Sequence, residues 1–175
     1  MIEVAETCQY DLPAAALFAA LTDFSGYPSW QAAVESAVLL DGPLRVGARV
    51  RQVRREVGWR GRVEVAVAAL VPGELLTLAS EPGARPSVSQ SYRLTSQGGG
   101  CRLDYLVALD GVPRVLEAAL RMRLRRQVQH MLQQLGEHTR AARQQRGGVP
   151  GRLPLTARWR PGRQRAAPPG GRPWA

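Results

Sequence analysis

Lysine and asparagine are absent from this 175-residue chain, Ile2 is its single isoleucine, and it holds two cysteines and two histidines. All 24 basic residues are arginine, a bias typical of a GC-rich coding sequence, so the high isoelectric point needs discounting as a sign of function. Two cysteines cannot build a disulfide scaffold or a cysteine-based zinc cluster. A metal site needs three or four ligands, and His130 and His138, eight residues apart, have no companion cluster. No metal or other cofactor is expected. There is no Gly-x-Ser-x-Gly elbow, Walker loop or Gly-x-Gly-x-x-Gly fingerprint, and Gly98-Gly99-Gly100 stands between two strand-like runs rather than between a strand and a helix. No apolar run approaches the roughly 18 residues of a membrane span, because the stretch Leu12 to Thr22 ends at Asp23. The start, Met-Ile-Glu, lacks the basic segment of a signal peptide, so a cytoplasmic protein is expected.

Charge is divided unevenly along the chain. Residues 1 to 145 carry 17 arginines and all 14 acidic residues, whereas 146 to 175 carry 7 arginines and no acid. That tail is rich in proline and glycine and has almost no periodic apolar pattern. Such a segment buries too little surface to offset its ordering entropy, so it is expected to be a disordered extension of one domain spanning 1–145. Trp159 and Trp174 among the arginines also allow a second reading, an anchor for nucleic acid or an acidic membrane surface.

What is present is a clear alternation followed by a clear helical period. Residues 2 to 10 place Ile2, Val4, Cys8 and Tyr10 on one face, with Glu6 sharing it, as in a half-buried strand. A short apolar helix follows, with Asp11 able to cap it and Pro13 in its first turn. Asp23 to Pro28 breaks that helix, and Trp30 to Val34 is a candidate second helical piece. Strands are expected at 34–40, 48–57, 61–71, 74–81, 87–96 and 101–110, punctuated by Gly58, Pro72-Gly73, Pro82-Gly83 and the triple glycine. From Pro113 to about Arg143 the period becomes 3.6, with Leu116, Leu120, Leu124, Val128, Met131, Leu132 and Leu135 on one stripe. A helix of that length is about 45 Å long. A one-sided antiparallel sheet and a long amphipathic helix each require the other as cover.

This order of strand, two short helices, six strands and a long helix resembles the START-like SRPBCC superfamily, the helix-grip fold of birch-pollen allergen and polyketide cyclase/dehydrase proteins. The resemblance covers about residues 1 to 143. It rests most on Ala15-Ala16-Leu17-Phe18-Ala19-Ala20-Leu21-Thr22-Asp23, on Tyr27-Pro28-Ser29-Trp30, on the strand entry Val46-Gly47-Ala48-Arg49-Val50, and on the strand Leu103 to Leu109. It implies an α+β fold in which a seven-stranded curved antiparallel sheet wraps the long C-terminal helix. It also implies an apolar cavity between the two, binding a lipid, a polyketide or another hydrophobic molecule, with cyclisation or dehydration in some members.

A count of polar groups on inward faces gives the candidate ligand-binding residues. Glu6, Ser80, Gln90, Tyr92 and Tyr105 share faces with apolar neighbours, a pattern typical of small-molecule sites. Each also has a plain structural reading as a core group with a satisfied partner. Glu6 on an apolar face would have its pKa raised unless paired, suiting it to proton transfer or ligand contact; reaching solvent or an arginine is the alternative. Arg54 is conditional. A two-residue turn near Gly58-Trp59 would turn Val50, Gln52, Arg54 and Glu56 inward with Val63 and Val65, placing Arg54 to meet a ligand carboxylate or phenolate, and a three-residue turn would reverse this. Trp30, with Tyr27, would either contact ligand at the cavity end or fasten the short helices to the sheet. The fold further implies that Cys8 and Cys101 lie near each other as free inward thiols. Carriage of a hydrophobic small molecule is the leading functional expectation. A cyclase/aromatase-type enzyme using Tyr92, Tyr105, Glu6 and Arg54 is the second, and an adaptor working through the basic tail is the third.

Overall fold

The computed structural model describes residues 1–56 and 59–147. Seven strands form one antiparallel sheet in the order β1-β7-β6-β5-β4-β3-β2: β1 Ile2–Tyr10, β2 Val34–Leu39, β3 Arg49–Glu56, β4 Trp59–Val71, β5 Leu75–Ser80, β6 Ser87–Gln97 and β7 Gly100–Asp110. The long helix α2, Glu117–Gly147, follows a single 3-10 turn at Arg114–Leu116 and lies across the inner face. The architecture is the helix-grip fold that the resemblance implied.

Strand parity selects the core. On β7, Cys101, Leu103, Tyr105 and Val107 are buried while Arg102 and Leu106 face out; Val50, Val65, Val67, Leu76, Leu78 and Leu94 continue the inner layer. Backbone pairing of Glu56 with Trp59 sets Arg54 opposite Gly61, Gln52 opposite Val63 and Val50 opposite Val65. Val50 and Gln52 are both buried, so the register decides for the inward placement of Arg54. The triple glycine serves the β6–β7 joint. Gly98 and Gly99 take φ of +48° and +96°, the left-handed region, and a Cβ on Gly100 would run into the Tyr10 carbonyl oxygen.

Two local expectations are corrected. Asp11 makes no cap: helix α1 is Ala14–Thr22, its N-cap is Pro13, and the Pro13 carbonyl accepts from Ala16 N at 3.0 Å and Leu17 N at 3.4 Å. Asp11 stands two residues before that cap, and Leu12 between them is buried. The second short helix is a 3-10 helix over Phe24–Ser29, not a piece over Trp30 to Val34. Phe24 and Tyr27, three apart, both turn inward on a three-residue period, and the Tyr27 hydroxyl donates to the Leu21 carbonyl at 2.8 Å.

α2 is fastened around and beyond its middle. Val128, Leu132 and Leu135 are buried, the Tyr10 hydroxyl donates to the Leu132 carbonyl at 2.8 Å, and the Tyr10 ring lies where a Cβ on Gly136 would be. Cys8 faces Leu103 and Cys101 faces Tyr10 across the β1–β7 ladder, so the thiols sit diagonally with the Gln9–Arg102 pair between them, and both are free. Burial raises the pKa of both, which keeps them as unreactive thiols.

Candidate functional site

Between the inner sheet face and α2 lies a cavity of about 760 Å³. Val63, Val65, Leu78, Val88, Val107 and Leu109 line it from the sheet, and Leu124, Val128 and Met131 from the helix. The walls are apolar because these positions are the inward parity of β4 to β7 and the stripe of α2. The space exists because α2 is drawn onto the β1 side by the Tyr10 contact and stands off the strands further across.

Polar groups enter this wall as a set. Arg54 and Gln52 come from β3, Gln90 from β6, Tyr105 from β7, Gln31 from the turn after the 3-10 helix, and Gln127, His130 and Gln134 from α2. The Arg54 guanidinium donates to Gln52 Oε1 at 3.1 Å. Behind the wall, Gln31 Nε2 donates to the Tyr92 hydroxyl at 3.4 Å, and that hydroxyl donates to Gln90 Oε1 at 3.3 Å. These two bonds are long, so a ligand group competing for either glutamine displaces little. Tyr92 and Tyr105 pack with ring centroids 4.7 Å apart.

Ionisation of both tyrosines is suppressed. Burial pushes Tyr92 up to about 12, with the Tyr105 hydroxyl and the Arg54 charge opposing the rise. Burial also holds Tyr105 well above its ordinary value, reinforced by Tyr92. Both therefore remain neutral hydroxyls that donate hydrogen bonds and do not serve as phenolate bases. Among the described residues no group of three or more His, Cys, Asp or Glu could hold a metal ion.

The residues singled out by sequence are thus divided: Ser80 lines the cavity and its hydroxyl accepts from Val88 N at 3.0 Å. Arg54, Gln90 and Tyr105 line the cavity, and Tyr92 stands immediately behind, bonded to Gln90. Trp30 is fully buried against Tyr27, rings 4.6 Å apart in an edge-on arrangement, and its successors Gln31, Ala32 and Ala33 reach the wall in its place. Glu6 lies elsewhere: Arg125 Nε donates to it at 2.6 Å and Gln129 Nε2 at 3.4 Å. β1 is an edge strand covered directly by α2, so its inward face meets the helix rather than open space. Gln31, Arg85, Gln127, His130 and Gln134 were missed. For Gln127 and Gln134 the signal was present, since they stand one residue before Val128 and Leu135 at the margin of the helical stripe.

The family model for polyketide cyclase/dehydrase and lipid transport matches residues 1–140. The chain belongs to this family. It is a member of the START-like SRPBCC superfamily, and family and fold together point to hydrophobic ligand binding or polyketide cyclase-type chemistry. A START superfamily protein from Mycobacterium smegmatis is similar in structure, with TM-score 0.69 and 14% identity over 80% of this chain and 98% of that one. The Zhui aromatase/cyclase from Streptomyces sp. R1128 has TM-score 0.66 and 16% identity over 84% and 98%. A protein from Thermus thermophilus has TM-score 0.66 and 18% identity over 80% and 98%. At such identities the likeness shows the fold. No curated protein matches this chain at significant similarity.

No helix among the described residues is long and apolar enough to cross a membrane. The basic tail, expected to be disordered or to contact nucleic acid or acidic membranes, lies outside the described residues from 148 onward, and neither family nor fold supports such a partner for it.

Proposed function

We propose that this family member binds a hydrophobic small molecule, lipid-like or polyketide-like, in the cavity beneath α2. The observation that carries this reading is the cavity itself: about 760 Å³, within the range of ligand sites, apolar over most of its wall, with Gln31, Gln52, Arg54, Gln90 and Tyr105 entering from neighbouring elements. An apolar body would rest on the valines and leucines, and a carbonyl, carboxylate or phenolate would meet Arg54 and the hydroxyl of Tyr105. Native mass spectrometry and solvent extraction of the purified protein test this. A retained hydrophobic compound, reduced in Gln90→Leu and Arg54→Leu variants, is the expected result; protein that stays empty when challenged with lipid and polyketide mimics contradicts it.

A cyclase-type activity is the second reading, favoured by the presence of Tyr105 and Arg54 on the same wall. The neutral Tyr105 hydroxyl would hydrogen-bond one substrate carbonyl and Arg54 another, holding a poly-β-ketone in a folded geometry that brings its reacting carbons together. Glu6, held by Arg125, takes no part. Turnover of a poly-β-ketone mimic that falls on Tyr105→Phe while binding persists would separate enzyme from carrier.

A further inference from the structure

Eight large apolar side chains are exposed among the described residues, and four of them, Met1, Val115, Leu116 and Met122, gather where β7 passes into α2. Met1 is placed there by its amino group, 3.2 Å from Glu117 Oε1. Val115 is 89% exposed and Met122 61%. Ala118 and Ala119, also exposed, complete an i, i+3, i+4, i+7 series with them, which is one face of a helix. The 3-10 turn and the first turns of α2 together therefore carry two apolar stripes. Leu120 and Leu124 turn to the protein, Leu124 reaching the cavity wall, and the Val115–Met122 stripe turns to solvent.

The surroundings of the outer stripe are cationic. Arg114, Arg121, Arg123 and Arg126 are exposed over residues 114–126, beside Arg125, which Glu6 holds, while the nearby acids Glu117 and Asp110 are both engaged by the N-terminal amino group at 3.2 and 3.9 Å. We infer that this face docks on a bilayer surface carrying anionic phospholipids. Val115 and Met122 enter the headgroup and acyl boundary, and the arginines, on long apolar stems, reach the phosphates around them. A nucleic-acid backbone would be bound by the arginines alone and would gain nothing from the stripe. Four large side chains and two alanines ringed by arginine also suit a charged headgroup region better than the core of a specific protein interface, which is depleted of charge. Docking would bring the helix that walls the cavity against the lipid. The inference does not rest on the cavity being filled: an empty cavity leaves this surface standing, and failed docking leaves the ligand reading standing.

Co-sedimentation of the full chain with vesicles tests it, using pure phosphatidylcholine and an equimolar mixture of phosphatidylcholine and phosphatidylglycerol. Binding to the mixed vesicles well above that to the neutral ones is expected. The double substitution Val115→Asp with Met122→Asp is expected to lower the partition coefficient at least ~10-fold, since it removes the inserted groups and adds charge the anionic surface repels. The pair Val38→Asp with Val46→Asp, each 56% exposed elsewhere, adds the same charge and is expected to stay within about twofold of that coefficient's unmodified value. Circular dichroism verifies that both variants fold. Absence of binding to mixed vesicles, equal binding to both vesicle types, or equal effects of the two double substitutions overturns the inference, the last because the basic tail is intact in all three proteins.

Discussion

The two halves of α2 are built from one continuous 3.6-residue pattern and are held in opposite ways. From its middle onward, Leu132, Leu135 and Thr139 are buried, and Tyr10 bonds the Leu132 carbonyl while its ring occupies the space over Gly136. In the N-terminal half, Leu120 and Leu124 are only partly covered, with the cavity beneath Leu124, and Met122 faces solvent, as does Val115 in the 3-10 turn just before the helix. The same kind of sequence stripe thus serves as an anchor at one end and as a ligand wall at the other. What separates them is the partner supplied by the sheet: Tyr10 on the edge strand β1 reaches the helix, whereas the smaller inward residues of β4 to β6 leave a gap.

The largest expected effect on this contrast comes from alkaline pH. The Tyr10 phenol, raised by burial and by the nearby Cys8, donates to a carbonyl, so its phenolate would face a lone pair instead. Tyr92 and Tyr105 are raised as well. The folded protein keeps these protons where the unfolded chain, with tyrosine pKa of about 10, releases them. Stability is therefore complete below about pH 10 and falls as pH rises through the raised values, and urea midpoints measured against pH should show this decline with a shallower slope in Tyr10→Phe.

Paired truncations probe the contrast at the next level. Leu132→Ala, in the fully buried half, should cost ~3 kcal/mol in urea unfolding. Leu124→Ala should cost less than ~1 kcal/mol, because one side of that residue already faces open space, while altering the ligand retained. Equal costs would break the contrast between anchor and wall. Gly136→Ala comes next. Its Cβ would lie 2.8 Å from Tyr10 Cε1 on a ring that is itself bonded in place. Overpacking of ~1–3 kcal/mol should outweigh the ~1 kcal/mol gain in helix propensity, for a net loss of ~1 kcal/mol. Smallest is Glu6→Gln, which weakens a partly exposed pair with Arg125 and should change stability by less than ~1 kcal/mol with no change in retained ligand. A large effect on ligand would return Glu6 to the cavity.

How much could be read in advance differs by scale. The strands were found within a few residues because alternation is local: Cys101, Leu103, Tyr105 and Val107 announce an inward face by themselves. Arg54 was left between two faces, because its parity depends on the turn that joins β3 to β4, and one residue more would have reversed it. Glu6 was left between ligand and arginine for a longer-range reason. Its parity was right, but whether an inward residue meets cavity or helix depends on which strand lies at the edge, and that is a matter of sheet order. The second short helix was misplaced because proline at position 28 was read as a break, whereas a short 3-10 helix accommodates it and buries Phe24 and Tyr27.

By itself the sequence determined the succession of elements, the inner face of each strand, the stripe of α2 and so the family, since all of these follow from periods of two and 3.6 within a single segment. Only the tertiary structure decided that Arg54, Gln90 and Tyr105 share one cavity wall, that Glu6 is held by Arg125, and that α2 is fastened at one end and stands off at the other. Those outcomes depend on pairing between residues as far apart as Glu6 and Arg125 or Tyr10 and Leu132, and the free energy of such contacts is set by the packing of the whole sheet rather than by any local pattern.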